Sequence, residues 1–174
     1  MIESVAEDPK VKIDFYTKIA NILDERTIIV TNSSTMIPST FAKYTGREDK
    51  YLALLFANEI WKNNMAEVMG HAGTDEKYFD AVVEFAKQIS MVPIKIMKEQ
   101  PGYLLNSLLV PLLGSALGLW AKGVATPEDI DSAWEIGYGT DHGPFRVIDV
   151  IGLNTVYNVF KMDPDASVEG TPQC

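Results

Sequence analysis

The segment RTIIVTNSS, which begins at Arg26, constrains the fold of this chain more than any other. Residues 27–31 within it are all β-branched. A run of this kind is typical of a strand that is buried on both faces of a parallel sheet. The small polar residues that follow are then expected at the carboxyl end of the strand, where a parallel sheet presents its functional side chains.

Strands and helices alternate on both sides of this segment. The pattern predicts further strands at residues 2–6, 51–56, 65–69 and 91–96. A helix begins near Pro9, and its apolar residues share one face: Val11, Phe15, Ile19, Ile22 and Leu23. Two more helices are predicted at residues 38–44 and 75–89. This alternation indicates an α/β sheet.

After Pro101 the pattern becomes entirely helical. The stretch PGYLLNSLLVPLLGSALGLWAKG predicts one long helix with a kink near Pro111, where proline loses a backbone hydrogen bond. The stretch TPEDIDSAWEIG predicts a helix that Thr126 caps and that ends at Gly137. One or two helices follow in GPFRVIDVIGLNTVYNVFK.

The change of pattern divides the chain near Glu99 to Pro101. We expect an α/β domain at 1–99, an all-helical domain at 100–162 and a tail at 163–174. The tail is rich in turn-forming residues, and we expect it to be disordered.

Composition argues against several classes of partner. The formal net charge is -9, which disfavours nucleic acid and anionic membranes. The apolar run at 104–113 contains polar residues and is expected to be too short to cross a bilayer. The opening MIESVAEDPK lacks the features of a secretory signal. We therefore expect a soluble protein.

The rarity of cysteine and histidine argues against a disulfide framework or a metal site. Cys174 is the single cysteine, which favours a reducing cytoplasm as the compartment. His71 and His142 lie far apart in sequence, and neither belongs to a metal-binding motif. We expect both to be surface loop residues.

Six segments occur in a recognisable order: IESVAEDPKVK, TNSS, FANEIWKNNMAEVMG, QPGYLLNSLLVPLL, GVATPEDIDSAW and GPFRVIDVIGL. In this order they resemble the NAD-dependent 3-hydroxyacyl-CoA dehydrogenases, and the resemblance covers residues 2–159. It implies the carboxyl-terminal part of a Rossmann-type NAD-binding domain, followed by an all-helical dimerisation domain. The G-x-G-x-x-G loop that cradles a dinucleotide does not occur in this sequence. By this resemblance we expect the chain to begin midway through the first domain.

The resemblance implies oxidation of a 3-hydroxyacyl-CoA to a 3-oxoacyl-CoA with NAD, as in fatty acid β-oxidation. In the family a histidine removes the hydroxyl proton, and a glutamate orients that histidine. The glutamate corresponds to Glu67, and the histidine position, twelve residues earlier, is Leu55. Leucine cannot act as a base, so we expect this chain to be inactive. Ser34 and Asn106 correspond to the residues that hydrogen-bond the substrate oxygen.

Three other residues correspond to positions where the family touches the cofactor. They are Glu7, Lys12 and Asn32, and Lys12 is also expected near the coenzyme A phosphates.

The same residues have simpler interpretations. Without the resemblance, Glu67 is an exposed residue of an edge strand, and Ser33 and Ser34 cap the next helix. If Glu67 is instead buried opposite Leu55, we expect it to bond Asn58, Asn64 or water. Asn106 either bonds a neighbouring helix or faces a ligand.

The long helix carries more apolar surface than a small domain covers easily: Leu105, Leu108, Leu109, Leu112, Leu113, Leu117 and Trp120. We expect a homodimer through this face, although the face can also pack on its own chain. Two alternatives to an enzyme therefore remain. One is a non-catalytic dimerisation or acyl-binding module, and the other is a partial gene product.

Overall fold

The computed structural model describes residues 1–162, which fall into two compact units, the first Met1–Leu105 and the second beginning at Asn106. The predicted tail at 163–174 lies outside the described residues. The strands are β1 (Ile2–Glu3), β2 (Ile29–Thr31), β3 (Tyr51–Phe56), β4 (Met65–Met69) and β5 (Val92–Ile96). The helices are α1 (Pro9–Ile19), α2 (Glu76–Gln88), α3 (Tyr103–Ala121), α4 (Pro127–Tyr138), α5 (Pro144–Ile151) and α6 (Leu153–Met162).

The first unit is built on a mixed five-stranded sheet in the order β1-β2-β3-β4-β5. β1, β2 and β3 are parallel, β4 runs antiparallel to β3, and β5 is parallel to β4. The prediction of an α/β sheet is confirmed, and β3 and β4 have the predicted bounds. β1 is shorter than the predicted 2–6, because only Ile2 and Glu3 pair with β2.

Helix α1 buries a different face from the one that its apolar residues predicted. Val11 is 44% exposed, while Lys12 and Tyr16 are fully buried. Ile22, which was expected on the same face, lies beyond the end of α1 and is 78% exposed. Phe15, Ile19 and Leu23 pack at the edge of the cluster around Tyr16. The polar side chains can be buried because both find partners inside the unit, which are described below. Asp8 caps α1 by accepting hydrogen bonds from the first backbone N–H groups, with Pro9 at the first helical position.

The segment predicted as a helix at 38–44 forms two 3₁₀ turns, Pro38–Thr40 and Ala42–Tyr44. Helix α2 packs Val82, Val83 and Ala86 against β2, β3 and β4. Phe85 and Ile89, which were expected on the same buried face, are each 39% exposed.

The second unit is helical, as predicted, and its core is a cluster around Leu113, Ile148 and Val156. Pro111 lies inside α3, which continues to Ala121. Thr126 caps α4 as predicted, but the helix ends at Tyr138, not at Gly137. It ends there because Gly139 adopts a left-handed conformation with φ of 68°, which glycine tolerates without steric cost.

Helix α3 has the length and the apolar composition of a membrane-spanning helix. This finding corrects our expectation that the apolar run is too short. A single such helix is weak evidence for a membrane span, because core helices of soluble proteins meet the same criterion.

Candidate active site

Glu67 and Leu55 lie directly opposite each other on β4 and β3. Residues paired in this way point to the same face of the sheet, with Cβ atoms roughly 5 Å apart. Glu67 is 1% exposed and Leu55 is 8% exposed. The interpretation of Glu67 as an exposed residue on an edge strand is therefore wrong, because β4 lies between β3 and β5.

The Glu67 carboxylate caps helix α3. Its Oε1 accepts hydrogen bonds from the backbone N–H groups of Leu104 and Leu105, at 2.8 and 3.1 Å. These groups have no partner within the helix, and the helix dipole places positive charge there. The partner of Glu67 is thus the start of α3 and neither Asn58 nor Asn64, whose amide group bonds the Ser90 carbonyl.

The second carboxylate oxygen, Oε2 of Glu67, is buried and has no hydrogen-bond partner within the described part of the chain. Leu55, across the strand pair, belongs to an apolar cluster with Ala53, Met69, Ile96 and Tyr103. A buried acceptor that lacks a donor is unfavourable by about 1–3 kcal/mol. One oxygen of Glu67 therefore lacks a hydrogen-bond donor among the described residues, and it lies on the face of the sheet where Leu55 contributes only an apolar side chain.

Within the first unit, His71 does not lie where it could act as a base beside Glu67. His71 is opposite the start of β3, four residues along the chain from Glu67, or roughly 13 Å along an extended strand. Its Nε2 bonds the Glu48 carbonyl at 3.0 Å, and its Nδ1 accepts from the Gly73 N–H at 3.1 Å. His142 is an exposed residue of the second unit, as predicted.

A second group of polar residues lies at the carboxyl ends of β1 and β2. Glu7 accepts hydrogen bonds through Oε1 from the Ser33 hydroxyl, from the Thr35 hydroxyl at 2.9 Å and from the Thr35 backbone at 3.2 Å. Partial burial acts to raise the pKa of Glu7, but the hydrogen bonds of Ser33 and Thr35 and the charge of Lys12 together hold it below the ordinary value.

Lys12 is buried in an ion pair, which the resemblance did not lead us to expect. Its Nζ lies 2.9 Å from Oε1 of Glu3 and 3.4 Å from Oε2 of Glu7. Its side chain is 1% exposed, so the ammonium group faces the interior in this structure. Contact of Lys12 with coenzyme A phosphates stays a prediction that this arrangement does not support.

Glu3 is the member of this polar group that sequence reasoning missed. Its two oxygens accept from the Lys12 ammonium, the Val5 N–H, the Tyr16 hydroxyl and the Thr31 hydroxyl. The Tyr51 hydroxyl donates to Tyr16 in turn, at 2.9 Å. An acid inside a predicted strand and a lysine on the core side of a helix could have indicated such a buried pair.

The remaining predicted residues occupy separate places. Asn32 follows β2, and its Oδ1 accepts from the Phe56 N–H at 3.1 Å, which ties the ends of β2 and β3 together next to Leu55. Ser34 is half-buried in the loop that follows Asn32. Asn106 lies in α3 and belongs to the second unit. In the first unit, Asn32 thus bonds the backbone of Phe56, the neighbour of Leu55, and Glu7 bonds the two residues that flank Ser34.

Clusters of histidine, cysteine and acidic residues that could hold a metal ion are not found among residues 1–162.

Parallel strands with polar groups at their carboxyl ends are the arrangement with which open α/β domains, including dinucleotide-binding domains, bind their ligands. The model of the 3-hydroxyacyl-CoA dehydrogenase NAD-binding domain matches residues 1–100, and the model of the C-terminal domain of the same enzymes matches residues 102–172. The chain belongs to the 3-hydroxyacyl-CoA dehydrogenase family.

Known relatives agree with this assignment. Human mitochondrial hydroxyacyl-coenzyme A dehydrogenase is 34% identical over 89% of this chain and 49% of its own length. A solved structure of a diketoreductase that acts on dicarbonyl compounds is 52% identical, with a TM-score of 0.89 over 93% of this chain and 57% of that one. The (S)-3-hydroxybutyryl-CoA dehydrogenase of Ralstonia eutropha is 29% identical, with a TM-score of 0.87 over 96% and 61% of the two chains. The chain spans about half the length of the curated relatives that it matches.

Proposed function

We propose that this chain forms part of an NAD-dependent oxidoreductase site for 3-hydroxyacyl and 3-oxoacyl groups, in which Leu55 has replaced the general base. The observation that carries this proposal is the buried Glu67, which lies opposite Leu55 and has one oxygen without a donor. An imidazole at position 55 would supply that donor and would be oriented by it.

The cofactor in this proposal is NAD, which accepts hydride when bound. Asn32 and Glu7 are the residues that would hold it, because both lie at the carboxyl ends of parallel strands, where ligands bind in open α/β sheets. The carboxylate and amide oxygens of these side chains suit the hydroxyl and amide groups of a nucleotide. The G-x-G-x-x-G loop that cradles a pyrophosphate does not occur in this sequence.

The proposed chemistry removes hydride from C3 of the substrate and a proton from its hydroxyl group. Ser34 is proposed to hydrogen-bond that oxygen. Leu55 can neither take nor return the proton, and loss of a positioned base slows a reaction about 10²- to 10⁴-fold. We therefore propose that the chain, as it stands, has little or no dehydrogenase activity.

A second candidate substrate class is a small dicarbonyl compound without coenzyme A. Two observations favour it: the 52% identity to the diketoreductase, and the burial of Lys12 against Glu3, which removes a cation expected near the coenzyme A phosphates. A 3-oxoacyl thioester and a 3-oxo ester share the same dicarbonyl unit, so one set of oxygen-binding residues suits both.

A non-enzymatic function is the candidate from another class. Leu108 and Trp120 of α3 are 75% and 52% exposed, which suits a helical face that pairs with a second copy of the chain. In this alternative the protein is a dimerisation or acyl-binding module. Dimer formation in sedimentation analysis, without binding of NAD or acetoacetyl-CoA, would favour it.

The deciding experiment is Leu55→His, with Leu55→Asn as a matched control that gives Glu67 a donor but no base. Turnover of acetoacetyl-CoA and of ethyl acetoacetate with NADH is measured for all three chains, and NADH binding is measured separately by titration. We expect Leu55→His alone to raise turnover about 10²- to 10⁴-fold.

Three outcomes separate the candidates. If Leu55→His binds NADH but its turnover rate is unchanged, position 55 is not the place of the general base. Failure of every chain to bind NADH refutes the cofactor proposal for this chain. A gain with ethyl acetoacetate but not with acetoacetyl-CoA selects the dicarbonyl class.

A further inference from the structure

We propose that Glu7 is a positioning residue for Ser34, and that it acts through the two residues on either side of Ser34. Oε1 of Glu7 accepts from Ser33 on one side and from both the hydroxyl and the backbone N–H of Thr35 on the other. This inference rests on the proposed function for what Ser34 does, but the linkage itself is a property of the chain without ligand.

The Ser33–Thr35 loop is tied down on its inner side as well. The Ser33 N–H donates to the Thr31 hydroxyl at 3.2 Å, and the Ser33 hydroxyl accepts from the Met36 N–H at 3.0 Å. Ser33 itself is 1% exposed. These bonds fix the two ends of the loop, and the Glu7 carboxylate joins the ends across Ser34.

The other oxygen of Glu7 faces a buried ion pair that Lys12 forms with Glu3. Oε2 of Glu7 lies 3.4 Å from the Lys12 ammonium, which lies 2.9 Å from Oε1 of Glu3. Glu3 is immobilised because four donors saturate its oxygens, including the Thr31 hydroxyl at 2.8 Å. The charged groups that face Glu7 are therefore Lys12 and, behind it, Glu3.

This arrangement gives Glu7 a second role besides the proposed contact with the cofactor. Oε1 already accepts three hydrogen bonds and Oε2 faces a cation, so most of the lone pairs of the carboxylate are engaged within the chain. Hydrogen bonds to a charged acceptor are about twice as strong as neutral ones. The carboxylate is thus able to order the loop before any ligand arrives.

The test is solution NMR of the full chain without ligand. The amide proton of Thr35 is followed as a function of pH, because an amide that donates to a carboxylate shifts when the carboxylate takes a proton. In the unmodified chain we expect the Thr35 and Ser33 signals to titrate together, with a midpoint below 4.5. In the charge-balanced double variant Glu3→Gln, Lys12→Met we expect that midpoint to rise, because Glu7 loses its cation.

The variant Glu7→Gln places an amide N–H₂ near Lys12 and removes the charge from the loop bonds. We expect the titration of Thr35 to vanish and the backbone order parameter of Ser34 to fall from about 0.85 to below about 0.6. The matched control is Asp14→Asn, which removes an exposed acid of α1 that pairs with Lys18. It should leave the loop signals unchanged.

An unchanged order parameter of Ser34 in Glu7→Gln overturns the inference, as does a Thr35 amide in the unmodified chain that does not respond to pH. The second measurement needs no variant, so it decides the matter even if Glu7→Gln fails to fold. Both readings are made without cofactor or substrate. A failure of the Leu55→His experiment therefore refutes the proposed function without touching the Glu7 linkage, and the converse also holds.

Discussion

Replacement of Glu67 by alanine should destabilise the first unit strongly, because it removes the cap of helix α3. The carboxylate is 1% exposed and bonds the N–H groups of Leu104 and Leu105. Tyr103, immediately before these residues, is strained, since its φ is 57°. A left-handed tyrosine is unfavourable by about 1–2 kcal/mol. Its conformation persists because the buried ring and the Glu67 bonds fix the start of the helix.

The magnitude follows from the two hydrogen bonds. Each charged hydrogen bond contributes about 1.5–3 kcal/mol, and Glu67→Ala leaves two buried N–H groups without an acceptor. The substitution also removes the unsatisfied oxygen of Glu67, which offsets about 1–3 kcal/mol of this loss of stability. We therefore expect a net loss of about 3 kcal/mol from the free energy of unfolding. Glu67→Gln keeps a neutral acceptor and should lose about 1 kcal/mol.

Urea denaturation followed by circular dichroism measures these changes at constant m-value. The matched control is Glu84→Ala, which removes an exposed glutamate of α2 that pairs with Lys87. It should change the free energy of unfolding by about 0.5 kcal/mol or less. A loss below about 1 kcal/mol for Glu67→Ala would show that the cap does not hold the start of α3.

Two further predictions concern Gly143 and Glu7. Gly143→Ala should lower the free energy of unfolding by about 3 kcal/mol in thermal unfolding, because its Cβ would lie 2.4 Å from the Asp131 Cα. The control Gly137→Ala meets nothing within 4 Å and should stabilise helix α4 by about 1 kcal/mol. Equal effects of the two substitutions would refute the close approach at Gly143. Glu7→Gln should lose most stability near neutral pH: the pKa of Glu7 is lowered on folding, so its contribution is present above the ordinary value of 4.5 and disappears as the pH falls through the folded pKa. A stability difference between the two chains that grows toward acid pH would contradict this sign.

Local patterns predicted the elements of the fold well, and long-range pairings caused the errors. β3 and β4 were predictable because each is a short apolar run between turn-forming residues. The buried face of α1 was not, because Lys12 and Tyr16 are buried only through Glu3, which comes from β1. A helical pattern reports apolar periodicity and carries no information on which polar group will find a partner in another element.

In the candidate site, too, local features could be predicted and long-range contacts could not. The resemblance located Glu67 and Leu55, and their pairing across β3 and β4 follows from strand register. The bonds from Glu67 to Leu104 and Leu105 could not be predicted, since they join residues 37 and 38 positions apart. Likewise, no local signal indicated that Glu7 bonds both neighbours of Ser34.

The cap on α3 gives Glu67 a structural role that does not depend on a histidine at position 55. If its purpose were only to orient a histidine, loss of the histidine would leave a buried carboxylate that destabilises the fold by several kcal/mol. Oε1 instead bonds the start of α3, and only Oε2 lacks a partner. A histidine restored at position 55 should therefore bond Oε2 without disturbing the cap. In a double-mutant cycle of Leu55→His with Glu67→Gln, we expect a favourable coupling of about 1–2 kcal/mol between His and Glu in urea denaturation. Zero coupling would mean that the two positions do not form a pair, whatever their register in the sheet.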